Sequence, residues 1–339
     1  MRTLSTIVLL ALVLVPGRLV ATGTSEDEAN ASQTQTQVAS VPPSIAENWT
    51  ETGGDAAWTV EVRDGDFVLV DGLGTAVPMT DYEKVVITSA GAVEILYELG
   101  AEERIAAIGT SRSGIWPEEQ TAQLPSVGGL SRPSFEQIVA FEPDLVIANG
   151  MNTEIATDLN ELGIATIIHS TETIAEILNA VLILGVLTGT TDRANAIVAE
   201  RRETLATVRS ALAEQPLDLK GAFVYSVDPI MGFREDSLPG EILSILGVRN
   251  IAAGLTTEQP ILSAEYILEQ DPDFLLGAMS IRTPDQILNA DSAVMQTRAG
   301  RENNIFIVPS QWLLRPTPRV IDALELLHEE LSAYDRPAG

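Results

Sequence analysis

At 339 residues the chain is longer than one ordinary hydrophobic core serves, and it suits two lobes of ordinary domain size. Hydrophobic residues make up 45% and charged residues 20%, a balance that predicts a folded chain rather than a disordered one. A formal charge of −28 repels phosphate backbones and anionic headgroups, so nucleic acid is not expected as a partner, and the absence of cysteine excludes disulfides, thiolate metal sites and cysteine nucleophiles.

Residues 1–23 predict a secretory signal peptide: Arg2 precedes the apolar run 7–15, Pro16-Gly17 breaks it, and Ala21-Thr22-Gly23 offers small residues for cleavage. The run is shorter than the roughly 20 residues a membrane span needs, so cleavage is expected rather than retention as an anchor. With no cysteine to carry a lipid, the expected location is the periplasm. Residues 24–57, rich in Ser, Thr, Gln, Asn and acidic side chains, predict a flexible leader. Residues 58–80 predict a small β hairpin turning at Asp64-Gly65.

From residue 81 short apolar strands (85–87, 105–108, 145–148, 164–168) alternate with helices (93–99, 135–140, 154–162), the rhythm of a parallel sheet covered on both faces. These make an N-terminal α/β lobe, 81–188, whose last helix runs to about residue 187. A second helix follows, with Ile197, Val198, Leu205, Val208 and Leu212 on one stripe. On the order of 30 Å long, it is assigned as a bridging helix, 189–216. Alternation then resumes in a C-terminal α/β lobe, 217–339, with strands at 222–227, 274–276 and 305–308 and helices at 241–246, 265–268 and 318–330.

A degenerate internal repeat organises these elements. Ser134-Phe-Glu136-Gln-Ile138, then Pro143-Asp144 and an apolar strand, returns as Ser263-Ala-Glu265-Tyr-Ile267, then Pro272-Asp273 and Phe274-Leu-Leu276. Glu-Ile-Leu-x-x-Leu-Gly ends at Gly100 in the first copy and at Gly247 in the second. The expected fold class is therefore α/β: two Rossmann-like α/β lobes joined by one long bridging helix, with a ligand cleft between them.

The blocks 94–105, 124–128 and 134–148, with 238–252 and Arg315-Pro-Thr-Pro-Arg319, give the chain a resemblance to the substrate-binding proteins of ABC importers for iron–siderophore, haem and cobalamin. That resemblance implies partnership with a membrane permease and, through it, an ATPase. It also implies that Glu136 and Glu265 dock against permease arginines, one carboxylate per lobe. The local alternative is that each Glu belongs to a capping box, although Ser-x-Glu is one residue short of that motif.

Open α/β sheets place ligands at the C-terminal ends of their strands, which selects the loops 89–92, 111–116, 128–132, 149–151, 228–234, 278–282 and 311–315. Arg112, Arg132, Arg234 and Arg315 can pair with acidic ligand groups, Trp116 can present a ring to the ligand, and Trp312 can stack on a planar one. For any single arginine the more ordinary role is to balance surface charge, and the alternative for Trp116 is packing between lobes. Tyr225 is assigned to the core, and Met231 and Phe233 to an apolar wall. The two histidines, His169 and His328, are assigned structural roles, although His169 follows a strand and can face the cleft.

So few histidines argue against a bare transition metal and for a chelate. A ferric siderophore ranks first, haem second and cobalamin third, with no resident cofactor or metal and a monomeric chain. A catalytic function has no supporting motif beyond the many carboxylates, which suffice to imagine a glycosidase. A sensor that kept the fold without transport is the other rival.

Overall fold

The structure is a computed structural model and describes residues 41–52, 58–255, 257 and 259–332. The expected signal peptide lies outside the described residues. Two sheets of mainly parallel strands build the two lobes.

In the N-terminal lobe the strand order is Arg132–Pro133, Ser126–Gly129, Ile105–Thr110, Val85–Ile87, Leu145–Asn149, Thr166–His169. All neighbours are parallel except the first pair. Val85–Ile87 comes first in the chain yet lies in the middle, so chain direction across the sheet reverses there. The crevice beyond Ile87 is the place such sheets offer to a ligand. In the C-terminal lobe Lys220–Val227 lies between the antiparallel Ile230–Gly232 and the parallel Phe274–Gly277, with Ile305–Ile307 beyond. The short Arg249–Asn250 also pairs with Lys220–Val227.

Three features of the repeated sequence blocks have matching structural jobs. Ser134 and Ser263 are N-caps, their hydroxyls accepting from Gln137 N at 3.3 Å and Tyr266 N at 3.2 Å. In each Pro-Asp pair the aspartate fastens the start of the central strand. Asp144 accepts from Lys84 N at 3.0 Å and Asp273 from Lys220 N at 2.7 Å, while their own N–H groups donate to Lys84 O and Lys220 O. Gly100 and Gly247, at φ +70° and +68°, end their helices in the left-handed conformation glycine adopts without strain.

The bridging helix, Thr191–Glu214, is 24 residues long and buries Ala194, Ile197, Val198, Leu205, Val208 and Leu212, one apolar stripe at helical spacing. It packs against Ile174–Leu187 and against the last helix, Arg319–Ser332. One hydrophobic cluster runs from Ile87, Leu96 and Leu145 through Val198 and Val208 to Phe223, Leu243, Leu276 and Leu324. The two lobes therefore share a core.

The N-terminal segment departs from expectation. Residues 41–52, assigned to a flexible leader, are strapped across the two long helices. Ile45 is fully buried, Asn48 donates to Asn195 at 2.8 Å, Thr50 and Asn179 exchange hydrogen bonds at 3.1 and 2.6 Å, and Arg202 binds Asn48 O at 2.7 Å. The half-buried Asn48 and Thr50 find partners on the helices, a pairing that composition does not reveal. The expected hairpin is a three-stranded meander, Thr59–Arg63, Asp66–Val70 and Ala76–Pro78, and it turns at Asp64-Gly65 with both residues at positive φ. Trp58 Nε1 donates to Ile168 O at 2.6 Å, and Asp71 accepts from Ile168 N at 2.9 Å. The meander thus ties down an edge strand that would otherwise expose unpaired backbone groups.

Candidate functional site

A cleft of about 1510 Å³ opens between the lobes at the C-terminal ends of both sheets. The N-terminal lobe contributes Ser89 and Gly91 after the central strand, Arg112 and Ser113, Asn149 to Met151, and His169 to Thr171. The C-terminal lobe contributes Tyr225, Met279, Ser280 and Arg282, then residues 307–311 and 314–316. Six of the seven loops selected from the sequence contribute to the cleft, 228–234 does not, and residues 169–171 and 307–310 join it unselected.

The floor is neutral and internally stitched. Ser89 Oγ lies 2.8 Å from His169 Nδ1. His169 is 4% exposed, and burial lowers its pKa to about 4, so the ring is uncharged at neutral pH. Its Nε2 is buried without a hydrogen-bond partner. Asn149 joins three loops, donating to Thr88 O at 2.9 Å and Leu130 O at 2.7 Å and accepting from Met151 N at 2.8 Å. Gly91 lets the C-terminal lobe close onto this floor. A Cβ there would lie 3.0 Å from Pro316 O and 3.3 Å from His169 Cε1.

Behind the cleft the lobes are laced by charge. Glu94, wholly buried, holds both Arg315 and Arg319, the latter at 3.2 Å, and accepts from Trp116 N at 3.2 Å. Arg315 also donates to Gly114 O at 3.1 Å, and Gln311 donates to Ser113 O. The Arg319 guanidinium sits 4.6 Å from the Trp116 ring centroid and 5.2 Å from that of Trp312. Glu241, which matches Glu94 in the repeat, reaches the other way and accepts from Ile174 N at 2.8 Å at the start of an N-lobe helix; burial raises its pKa. One turn beyond Glu94, burial pushes Glu98 up to about 7, against the opposing effect of Arg201 at 3.8 Å.

The predicted site residues separate into groups. Arg112 lines the cleft. So does Arg315, but Glu94 and Gly114 engage its guanidinium. Trp116 and Trp312 flank Arg319 instead of lining the cleft. Arg234 lies in a neighbouring chamber, ion-paired to Asp236 at 2.7 Å, with Phe233 beside it. Arg132 is exposed on the short antiparallel pair with Ser126–Gly129 and is not among the lining residues. Tyr225, assigned to the core, is half-buried and faces the cleft because it sits near the end of its strand. Glu136 and Glu265 are exposed at the second position of their helices; Gln137 and Tyr266, not the glutamates, receive the serine caps. A hydrogen bond from the backbone, reinforced by Ser134, holds Glu136 below the usual carboxylate range.

Arg282 was not singled out from the sequence, although its loop was. Neither its guanidinium nor that of Arg112 has a hydrogen bond or ion pair among the described residues. No described lining residue is acidic, and no cluster of three or more histidines or carboxylates among the described residues is placed to hold a metal ion.

A cobalamin-binding protein of Halobacterium salinarum is 27% identical over 264 residues, covering 75% of this chain and 71% of the relative. The apo periplasmic haem-binding protein of Roseiflexus sp. RS-1 superposes with a TM-score of 0.65 at 23% identity, covering 74% of this chain and 97% of that one. The periplasmic vitamin B12-binding protein of Vibrio cholerae gives 0.64 at 23% identity, covering 75% and 98%. These likenesses share the two-lobed fold, and the family model described as Periplasmic binding protein matches residues 85–312. With the sheets of both lobes and most of the cleft lining inside that match, the chain belongs to the periplasmic binding protein family.

Proposed function

We propose that the chain is the substrate-binding component of an ABC importer, that it works in the periplasm as a monomer without turnover, and that its cargo is a corrinoid of the cobalamin type. The observation that carries this reading is the chemistry of the cleft. Its volume of about 1510 Å³ exceeds the roughly 300–1,000 Å³ that drug-sized ligands occupy. Apolar residues and small neutral hydrogen-bonding groups dominate its walls, with no carboxylate among the described ones. Such a surface suits a large ring fringed with amides, as cobalamin is, and the Halobacterium relative is named for that ligand.

A ferric siderophore, ranked first from sequence, is the second reading. It draws on Arg112 and Arg282, one from each lobe, the cleft-lining guanidiniums without a hydrogen bond or ion pair among the described residues. Haem draws less support, since His169 Nε2 is buried beneath the cleft floor.

For delivery, Glu136 and Glu265 present one carboxylate per lobe in equivalent local settings, a geometry matched to a pseudo-symmetric pair of permease arginines. Tryptophan-fluorescence titration with cyanocobalamin, haemin and a ferric hydroxamate tests the cargo. Saturable quenching strongest with cyanocobalamin is expected, and preferential saturation by the ferric hydroxamate would replace this reading with the second. Docking is tested separately: Glu136→Ala/Glu265→Ala should abolish uptake and leave ligand affinity intact, and full uptake by that variant refutes it.

A further inference from the structure

Among the described residues three methionines stand at least half exposed: Met151 at 71%, Met279 at 50% and Met295 at 50%. One exposed apolar side chain is ordinary by itself. The placement of these is not: Met151 and Met279 line the cleft, one from each lobe, while Met295 lies outside it. Each cleft methionine stands two residues past a buried strand, Leu145–Asn149 or Phe274–Gly277. The two loops present them by different means. Asn149 accepts a hydrogen bond from Met151 N at 2.8 Å, within a turn closed by Asn152 N donating to Asn149 O at 2.9 Å. Met279 takes φ +56°, a left-handed conformation uncommon outside glycine. Its N–H donates to Ser310 Oγ at 2.5 Å, and Ala278 and Ile281 on either side of it are buried. Backbone held in that region clusters at ligand clamps.

The cleft is short of aromatic side chains, with Tyr225 the one Phe, Tyr or Trp among its described lining residues. Thioethers supply what is missing. They are polarisable and unbranched, so they settle against a flat conjugated ring and adapt to the groups at its edge. We infer that Met151 and Met279 are paired lips that hold a corrinoid from the two lobes, and that oxidation of their sulfurs loosens the hold. The inference rests on the cobalamin reading above and adds a modification site to it. Hydrogen peroxide, or another two-electron oxygen donor, gives one oxygen atom to each sulfur and leaves as water. An apolar thioether thereby becomes a polar sulfoxide. A sulfoxide oxygen set against the ring with no donor to meet it opposes binding. The open cleft exposes both sulfurs to the oxidant, and bound cargo shields them.

The experiment uses the full chain and cyanocobalamin. Limiting peroxide is applied with and without the corrinoid, and peptide mass spectrometry follows oxidation at the three exposed methionines. Bound corrinoid should slow oxidation of Met151 and Met279 about tenfold and leave Met295 at its free rate. The oxidised chain, freed of peroxide, is then titrated by calorimetry. Its affinity should fall about tenfold, the factor that one unmatched polar oxygen produces, and sulfoxide reductases acting on both epimers should restore it. Met151→Leu/Met279→Leu should bind a few-fold more weakly than the natural chain and lose nothing further to peroxide, whereas Met295→Leu should keep the full sensitivity. Three results each overturn the inference and leave the cobalamin reading standing: equal oxidation rates with and without the corrinoid, unchanged affinity once both lips are sulfoxides, or a folded double-leucine variant that peroxide still weakens. The first two need no variant. Failure of the untreated chain to bind cyanocobalamin overturns both readings.

Discussion

The two lobes share a plan and divide their labour. Each opens one outer helix with a serine cap, fastens its central strand with Pro-Asp, and ends an inner helix on a left-handed glycine. Their cleft faces differ. The N-terminal lobe offers a neutral floor whose polar atoms are largely consumed by one another, as in Ser89–His169 and the three bonds of Asn149. Each lobe adds one guanidinium, Arg112 or Arg282, and the C-terminal lobe further offers Tyr225 and a side chamber edged by Arg234. What the copies retain in common holds the fold, and what they do not share lines the cleft. In a duplicated binding protein the repeat reports the architecture and the departures from it report the cargo.

That contrast can be broken by experiment. Glu94→Ala leaves Arg315 and Arg319 without their buried counter-charge and should cost about 3–5 kcal/mol in urea unfolding. His169 gives an effect confined to the N-terminal lobe. Its folded pKa of about 4 lies below the unfolded value of 6.5, so the unfolded chain takes up the proton first. Stability is therefore full above pH 6.5 and falls as pH drops toward 4, by up to about 3 kcal/mol. Glu98 acts with the opposite sign: raised from 4.5 to about 7, it loses stability as pH rises through that range. The measurement is thus the difference in pH slope between the natural chain and His169→Gln, in which the Glu98 contribution is common. A slope unchanged by the substitution removes the buried-neutral assignment. Glu241→Ala should cost less than Glu94→Ala, about 1–3 kcal/mol, since it orphans one backbone N–H and removes only a longer-range attraction to Arg209. Equal costs for the two glutamates would erase the difference drawn between the lobes. Smallest of all, Arg112→Gln and Arg282→Gln should leave the melting transition within about 0.5 kcal/mol of the original, because neither guanidinium has a partner to lose among the described residues.

Much of the fold was legible because its signals are local. The stripe Ile197, Val198, Leu205, Val208, Leu212 marks the bridging helix, and Pro143-Asp144 and Pro272-Asp273 mark the entry to equivalent strands. Short elements such as Ser126–Gly129 and Ile230–Gly232 escaped notice, since three or four residues carry no period and their pairing is set by tertiary contact. The site was legible as loops and not as side chains. Arg315, Trp116 and Trp312 have the chemistry of ligand contacts, yet a carboxylate more than 200 residues away, Glu94, draws Arg315 and Arg319 into a buried cluster and leaves both tryptophans flanking Arg319. Glu94 looks in sequence like any helical surface glutamate. Only the approach of the lobes removes it from water.

The hydrophobic cluster that passes from Ile87 through the bridging helix to Leu324 bears on how the molecule comes apart. Two lobes with separate cores would melt as two units, each with its own enthalpy. Here the apolar side chains that stabilise one lobe are also the walls against which the other packs, and Glu94 and Glu241 cross the boundary in opposite directions. Loss of either lobe exposes the core of its neighbour. A scanning calorimeter should therefore record one transition with equal calorimetric and van't Hoff enthalpies, the thermal signature of a single cooperative unit built on a two-lobed plan.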